Sequence, residues 1–167
     1  GTGIQGLAME KYCNQIICSD INPEAIKVAK DATKNNTKYK VIQSDLFEKY
    51  DTKLEEQADI IVFNPPYLPR EKDEQDDQDL TSGEDGIEVT ERFIIDSKKY
   101  LKKTGRIFFV VSSLANVYMI NNLLKSEGYK FKIAKKKHFF FEDIMIYEAW
   151  LRWIAMKPKA FMKIKNT

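Results

Sequence analysis

The tetrapeptide Asn64-Pro65-Pro66-Tyr67 follows the β-branched apolar run from Ala58 to Phe63, and its residue types suit one kind of chemistry. Proline fixes φ and has no N–H, so two prolines after a strand present their carbonyls rigidly. An NH2 group on a flat conjugated carbon, as in an amide or in adenine, has a delocalised lone pair and attacks a methyl group poorly. If the Asn64 side-chain oxygen and the Pro65 carbonyl accept its two hydrogens, the lone pair is drawn toward an electrophile. Tyr67 can hold the plane by stacking, which for bases contributes about 1–3 kcal/mol. Orientation alone supplies roughly 7–11 kcal/mol of a barrier, so such a site needs neither a metal nor a strong base. Two acceptors also reject a carboxylate, which has no hydrogen to offer them. A plain turn closing a strand would use the same residues, and the company the motif keeps decides between the two.

That company lies upstream. Gly1-Thr2-Gly3-Ile4-Gln5-Gly6 has G-x-G-x-x-G spacing, which lets a backbone approach a ligand closely. Dinucleotides and phosphate groups are held by the same spacing. Asp20, followed by Ile21, lies about 20 residues beyond the first glycine, where a carboxylate accepts hydrogen bonds from ribose hydroxyls. Asp20 or Asn22 could equally cap the helix that opens at Pro23. Asp45 can accept from an adenine amino group while Leu46 packs on the ring, or it can cap a turn. At this level a nicotinamide cofactor and S-adenosylmethionine fit Asp20 equally well.

The elements that must position these residues alternate. The sequence predicts the end of a short helix over 7–12, a strand over 15–18 and a helix from Pro23 toward Lys34. A strand over 39–43 follows, and the strand over 58–63 is expected to be buried on both faces. The acidic run from Glu71 to Asp79 reads as a surface loop closed by Gly83–Gly86, with Asp85 capping a helix from Ile87 to about Leu101. Gly105 is expected to break that helix ahead of a strand over 106–111. A helix over 115–127, stopped by Gly128, precedes two long strands over 129–137 and 144–155, expected as an antiparallel pair. The architecture is therefore an open α/β sheet, in which ligands bind at the carboxyl ends of the strands. Asp20, Asp45 and Asn64 all sit at such ends. A glycine loop of this kind normally follows a buried strand, so one more strand is expected ahead of Gly1.

Asn64-Pro65-Pro66-Tyr67 resembles the NPPY motif of amino-group class I methyltransferases, and the order glycine loop, Asp20, Asp45, NPPY resembles theirs along essentially the whole chain. The segment Leu80 to Gly86 is similar to the G-x-D-G element of the HemK/PrmC group, which methylates a glutamine side-chain amide in translation release factors. The resemblance implies a Rossmann-like class I methyltransferase sheet, mostly parallel with a C-terminal antiparallel strand pair. It implies S-adenosylmethionine as cofactor, with Gly1, Thr2, Gly3 and Gly6 along its methionine portion, Asp20 and Ile21 at the ribose, and Asp45 and Leu46 at the adenine. Asn64 and Pro65 would hold the target amide, with Pro66 completing the motif and Tyr67 stacking. One further acidic cofactor contact would precede Gly1. The short chain resembles the archaeal and eukaryotic branch, whose members work with a small zinc-binding activator subunit. By the family's strand order it would dock on the sheet edge formed by Tyr39 to Gln43.

Composition narrows the classes. The 167 residues carry a formal net charge of +2, from 27 basic and 25 acidic side chains, which argues against a domain that holds nucleic acid by bulk charge. The chain fits one catalytic domain over 1–157 with a basic tail over 158–167. Cys13 and Cys18 are expected to be buried packing residues, and with His138 as the single histidine no structural zinc site is expected. No apolar run reaches the length of a membrane span and no signal peptide opens the chain, so a cytoplasmic protein is the expectation. Lys135 to Phe141 reads as a strand end and a turn whose phenylalanines pack inward, with a basic and aromatic nucleic-acid patch as the alternative. Three other readings stay open: an adenine methyltransferase acting on RNA or DNA, a methyltransferase-like binding subunit without activity, and a dehydrogenase. The first shares the motif, the second would be expected to lose it, and the third leaves it without a role.

Overall fold

The computed structural model describes residues 1–65 and 87–152. The segment 66–86 and the residues from 153 onward lie outside the described residues. With them lie Pro66, Tyr67, the acidic run, Asp85, the Gly83–Gly86 element, the last residues of the expected final strand and the basic tail.

Among the described residues, helix α1 (Ile4–Met9) continues into a 3-10 turn over Glu10–Tyr12 and leads to β1 (Ile16–Asp20). Helix α2 (Pro23–Thr33) carries the chain to β2 (Tyr39–Gln43), which pairs in parallel with β1. Proline at the first helical position and Asn22 as cap explain where α2 starts. The Asn22 side chain accepts from the Glu24 and Ala25 amides at 2.8 and 3.4 Å. Ile26, Ala29 and Thr33 recur along one side of α2 and are buried.

Strand β3 (Ala58–Phe63) pairs in parallel with β4 (Leu101–Ser112), and helix α3 (Glu88–Tyr100) precedes β4. Helix α4 (Val117–Ser126) leads to β5 (Tyr129–Phe139) and β6 (Glu142–Leu151). The order in this second sheet is β3-β4-β6-β5, and both pairings of β6 are antiparallel. The mixed α/β architecture and the terminal antiparallel pair agree with the sequence reading. Gly128 has φ +83 and ends α4 in the left-handed conformation expected of glycine.

The core lies on one face of the larger sheet. Ile107, Phe109 and Val111 of β4 and Met145, Tyr147 and Ala149 of β6 pack there with Phe93 and Ile94 of α3 and Ile120 and Leu124 of α4. Tyr129 brings a hydroxyl into this core and shares it with Ser97 Oγ at 3.1 Å. Burial raises its pKa to about 12, so it stays a neutral phenol at any physiological pH.

Four expectations are corrected. β3 is not buried on both faces, since Ile60 and Val62 are 46% and 38% exposed. α3 and α4 cover the face that Phe109 shares with Tyr147. Gly105 does not break a helix: α3 ends at Tyr100, β4 begins at once, and Gly105 lies inside the strand. The pairing slips there between Ala58 and Ile60, and a Cβ on Gly105 would stand 2.7 Å from the Ala58 carbonyl oxygen. Cys13 and Cys18 are free thiols but only half-buried. Finally, Phe140 and Phe141 do not pack inward, being 92% and 93% exposed at the tip of the β5–β6 hairpin.

Candidate active site at the carboxyl ends of the strands

The glycine loop is built by two different demands on two glycines. Gly3 precedes α1 with φ +84, a conformation that side chains other than glycine rarely adopt. Gly6 faces β1 so closely that a Cβ would lie 3.0 Å from Ile16 Cγ2 and 3.1 Å from Cys18 Sγ. α1 can therefore lie on the strand, and the loop before it runs over the end of β1. The loop lies beside the end of β1, with the Gly1 nitrogen 3.1 Å from the Ser19 carbonyl oxygen. Loop and strand end, 18 residues apart from Gly1 to Ser19, are thus adjacent.

Asp20 and Asn22 divide the two duties that the sequence left open between them. Asn22 caps α2, and its own amide donates to Asp20 Oδ1 at 2.8 Å. This bond orients the Asp20 side chain. Ile21 is exposed next to it, and its carbonyl accepts from Gln43 Nε2 at 3.2 Å. The Ser44 amide donates to the Asp20 carbonyl at 2.9 Å, so the ends of β1 and β2 are tied together.

After β2 the buried Ser44 hydroxyl accepts from the Lys49 amide at 3.0 Å and closes a tight turn. Leu46 occupies that turn at φ +44, a strained conformation for a leucine, while its side chain rests against the core. Asp45 is half-exposed, and its Oδ2 accepts from Arg92 Nη2 at 2.8 Å. Arg92 also reaches Glu48 at 3.3 Å. The bond to Asp45 raises the Arg92 pKa further, so the guanidinium is a permanent cation at this spot. Sequence reading missed Arg92, because a contact across 47 residues leaves no local pattern.

A stack of rings connects this turn to β3. Phe47 lies 6.0 Å from Phe93, and Phe93 lies 4.6 Å from Phe63, both stacked, with Tyr100 stacked on Phe47 at 5.0 Å. Phe63 is the last residue of β3, and Asn64 and Pro65 follow it directly. The turn holding Asp45 and the start of the NPPY motif are therefore fastened to the same helix, α3. Asn64 is exposed and Pro65 is buried, so the asparagine amide stands at the surface on an anchored residue. Pro66 and Tyr67 lie outside the described residues.

Among the described residues no group of three or more His, Cys, Asp or Glu side chains is arranged to hold a metal ion, and no helix is long and apolar enough to cross a membrane. What the geometry defines is a set of strand ends in a two-stranded and a four-stranded sheet: a glycine loop and Asp20 at the end of β1, Asp45 in the turn after β2, and an exposed asparagine directly after β3.

Comparison with known proteins places the chain in a family. Residues 1–141 match the model of the methyltransferase small domain, and the chain belongs to that family. It is 40% identical over 156 residues to a Methanocaldococcus jannaschii protein named as a protein N5-glutamine methyltransferase, covering 90% of this chain and 77% of that one. It is 34% identical over 143 residues to the release factor glutamine methyltransferase of Clostridium acetobutylicum, covering 77% of this chain and 50% of that one. The fold is similar to that in the E. cuniculi Mtq2-Trm112 complex, which is responsible for methylation of the eRF1 translation termination factor. There the TM-score is 0.68 at 23% identity, over 90% of this chain and 80% of the other.

Proposed function

We propose that this chain is the catalytic part of an S-adenosylmethionine-dependent methyltransferase that methylates the side-chain amide nitrogen of a glutamine in a translation release factor. One observation carries the reading: an exposed asparagine amide seated on a buried proline at the carboxyl end of a parallel strand, with carboxylates at the ends of β1 and β2. The names of the relatives at 40% and 34% identity support the choice of a glutamine over adenine.

The residues present fit the cofactor. Gly3 needs the left-handed backbone and Gly6 has no room for a side chain where α1 approaches β1, while Asp20 stands at the end of that strand with its Oδ1 oriented by the Asn22 amide. Gly1, Thr2, Gly3 and Gly6 would line the methionine portion, Asp20 and Ile21 the ribose, and Asp45 and Leu46 the adenine. S-adenosylmethionine supplies a methyl group on a sulfonium whose departure needs no metal. The protein's own task is to place the amide nitrogen. Asn64 Oδ1 and the Pro65 carbonyl would accept its two hydrogens, turning the lone pair outward along the line of attack. With S-adenosylmethionine bound as methyl donor, the amide nitrogen held by Asn64 and Pro65 would give up one of its two hydrogens to solvent. Tyr67 would close the plane from one side.

The partner surface of the reading is the edge strand β2, whose outer side carries Tyr39 and Val41 beside Lys30 and Thr33 of α2. A small activator subunit, zinc-binding in the resembled family, would dock there. An enzyme acting on release factors works in the cytoplasm. Tandem mass spectrometry of a release factor incubated with the full-length protein and cofactor tests the proposal. One methyl group on the glutamine of its Gly-Gly-Gln loop is expected, and a methyl group on adenine of RNA or DNA instead would overturn the substrate while keeping the chemistry.

A further inference from the structure

The β5–β6 hairpin ends in a place where turn chemistry and surface chemistry both disagree with its residues. Phe139 pairs with Glu142, so Phe140 and Phe141 alone make the turn. Two-residue hairpin turns favour asparagine, aspartate or glycine, because they need positive φ. Phe140 adopts φ +35, a strained choice for an aromatic residue, and both rings stand in solvent. Leu114 beside the hairpin base is exposed as well, and Ser113 next to it is bonded to Asp143 in both directions, at 2.8 Å each. An apolar tip held so firmly at the surface implies an occupant.

Strand register tells where the occupant comes from. Phe63, the residue before Asn64, is level with Phe109 of β4, which is level with Tyr147 of β6. Phe141 is six residues beyond Tyr147 toward the carboxyl edge, so the tip overhangs the level of Phe63 by about 20 Å. Sideways, β6 is two strand spacings from β3, about 10 Å. The hairpin is thus a wall beside the candidate amide site, and a folded substrate whose loop reaches Asn64 must pass along it.

We propose that the hairpin tip, Phe140 and Phe141, is a docking element for the body of the protein substrate, separate from the site that takes its glutamine. The assignment rests on the protein-methyltransferase reading above. Phenylalanine offers area and no hydrogen bond, which suits an apolar patch on a protein. The face of β5 below the tip carries Lys135 and Lys137, which have no ion-pair partner among the described residues, whereas Lys136 is taken up by Asp143 at 2.6 Å. The complementary patch is therefore apolar with an acidic rim.

The test compares the full-length wild type with a Phe140→Ser/Phe141→Ser double variant and a Phe140→Gly control, using an intact release factor, a short peptide spanning its Gly-Gly-Gln loop, and a structured RNA. Direct binding is measured separately from turnover. For the intact factor, Kd and KM are expected to rise about tenfold or more in the double variant, the loss of apolar anchors, with kcat unchanged. Peptide kinetics and Tm are expected to stay at wild-type values, and Phe140→Gly, which keeps Phe141 and relaxes the turn, should raise Tm. An unchanged Kd for the intact factor overturns the docking role. Equal losses on factor and peptide overturn it in favour of a role at the amide site, and a raised Kd for RNA alone overturns it in favour of nucleic acid. A raised Kd without any turnover by the wild type supports docking while removing the methyltransferase reading, so the two failures are distinguishable.

Discussion

The guanidinium of Arg92 crosses from α3 to the carboxylate of Asp45 at 2.8 Å, and so a permanent cation holds one oxygen of the group assigned to the adenine. The pair is half-exposed, which makes its direct contribution to stability small, about 0–1 kcal/mol. Its larger consequence is orientation. Arg92 holds Asp45 through Oδ2, leaving Oδ1 for the adenine amino group that we propose it accepts from. Asp45→Ala is expected to weaken S-adenosylmethionine binding about tenfold to hundredfold, the range for a hydrogen bond to a charged acceptor. Arg92→Gln should weaken it by less, with kcat unchanged. Calorimetric titration with the cofactor checks both.

Asn64→Ala should behave in the opposite way. Its amide is exposed and bonded to nothing that stabilises the fold among the described residues, so Tm is expected to stay within a degree or two of wild type. Cofactor Kd should change little. Turnover should fall about 100-fold or more, as when one positioned hydrogen-bonding group is removed from an active site. Single-turnover kinetics with saturating cofactor separate these quantities.

The two glycines predict different failures. Gly3→Ala forces a side chain into φ +84 and should cost about 1–2 kcal/mol. Gly6→Ala pushes a methyl against Ile16 and Cys18 and should cost about 1–3 kcal/mol by overpacking. Both also displace the loop from Asp20, so cofactor binding should weaken in parallel with the loss of Tm, which thermal unfolding with and without cofactor reads directly.

Much of this was legible in the sequence because local rules decide it. Pro23 with Asn22 announces α2, the β-branched apolar run over 58–63 announces β3, and Gly128 stops α4. The positions of Asp20, Asp45 and Asn64 at or just after strand ends were legible from the strand pattern, and the family match agrees with the class of protein expected from them. What escaped was long-range or backbone-borne. Arg92 meets Asp45 only after α3 folds back over the turn. Gly105 looked like a helix breaker, but its reason is the close approach of Ala58 across a slipped register. The run Phe139-Phe140-Phe141 reads as core by composition, and only the hairpin register shows that a two-residue turn must fall on its last two residues.

One prediction concerns pH. Glu148 on β6 accepts from Lys132 and Arg106, at 3.0 and 2.6 Å, and these bonds hold its carboxyl below the ordinary glutamate value. A carboxylate whose folded pKa is depressed stabilises the fold above its unfolded pKa and loses that contribution as pH falls through the folded one. Glu148→Gln should therefore be less stable than wild type at pH 7. The difference should shrink as pH falls from the ordinary value of 4.5 and vanish below the folded pKa. Urea midpoints of both proteins from neutral to strongly acidic pH test the sign.

The account stands most directly on where the methyl group goes. The decisive measurement offers the full-length protein labelled S-adenosylmethionine and three acceptors in parallel: a release factor with its Gly-Gly-Gln loop intact, the same factor with that glutamine changed to alanine, and adenine-containing RNA. Label on the intact factor alone, lost when the enzyme carries Asn64→Ala, is the predicted result. Label that persists on the alanine factor, or that survives Asn64→Ala, would contradict the assignment of Asn64 and Pro65 as the seat of a glutamine amide.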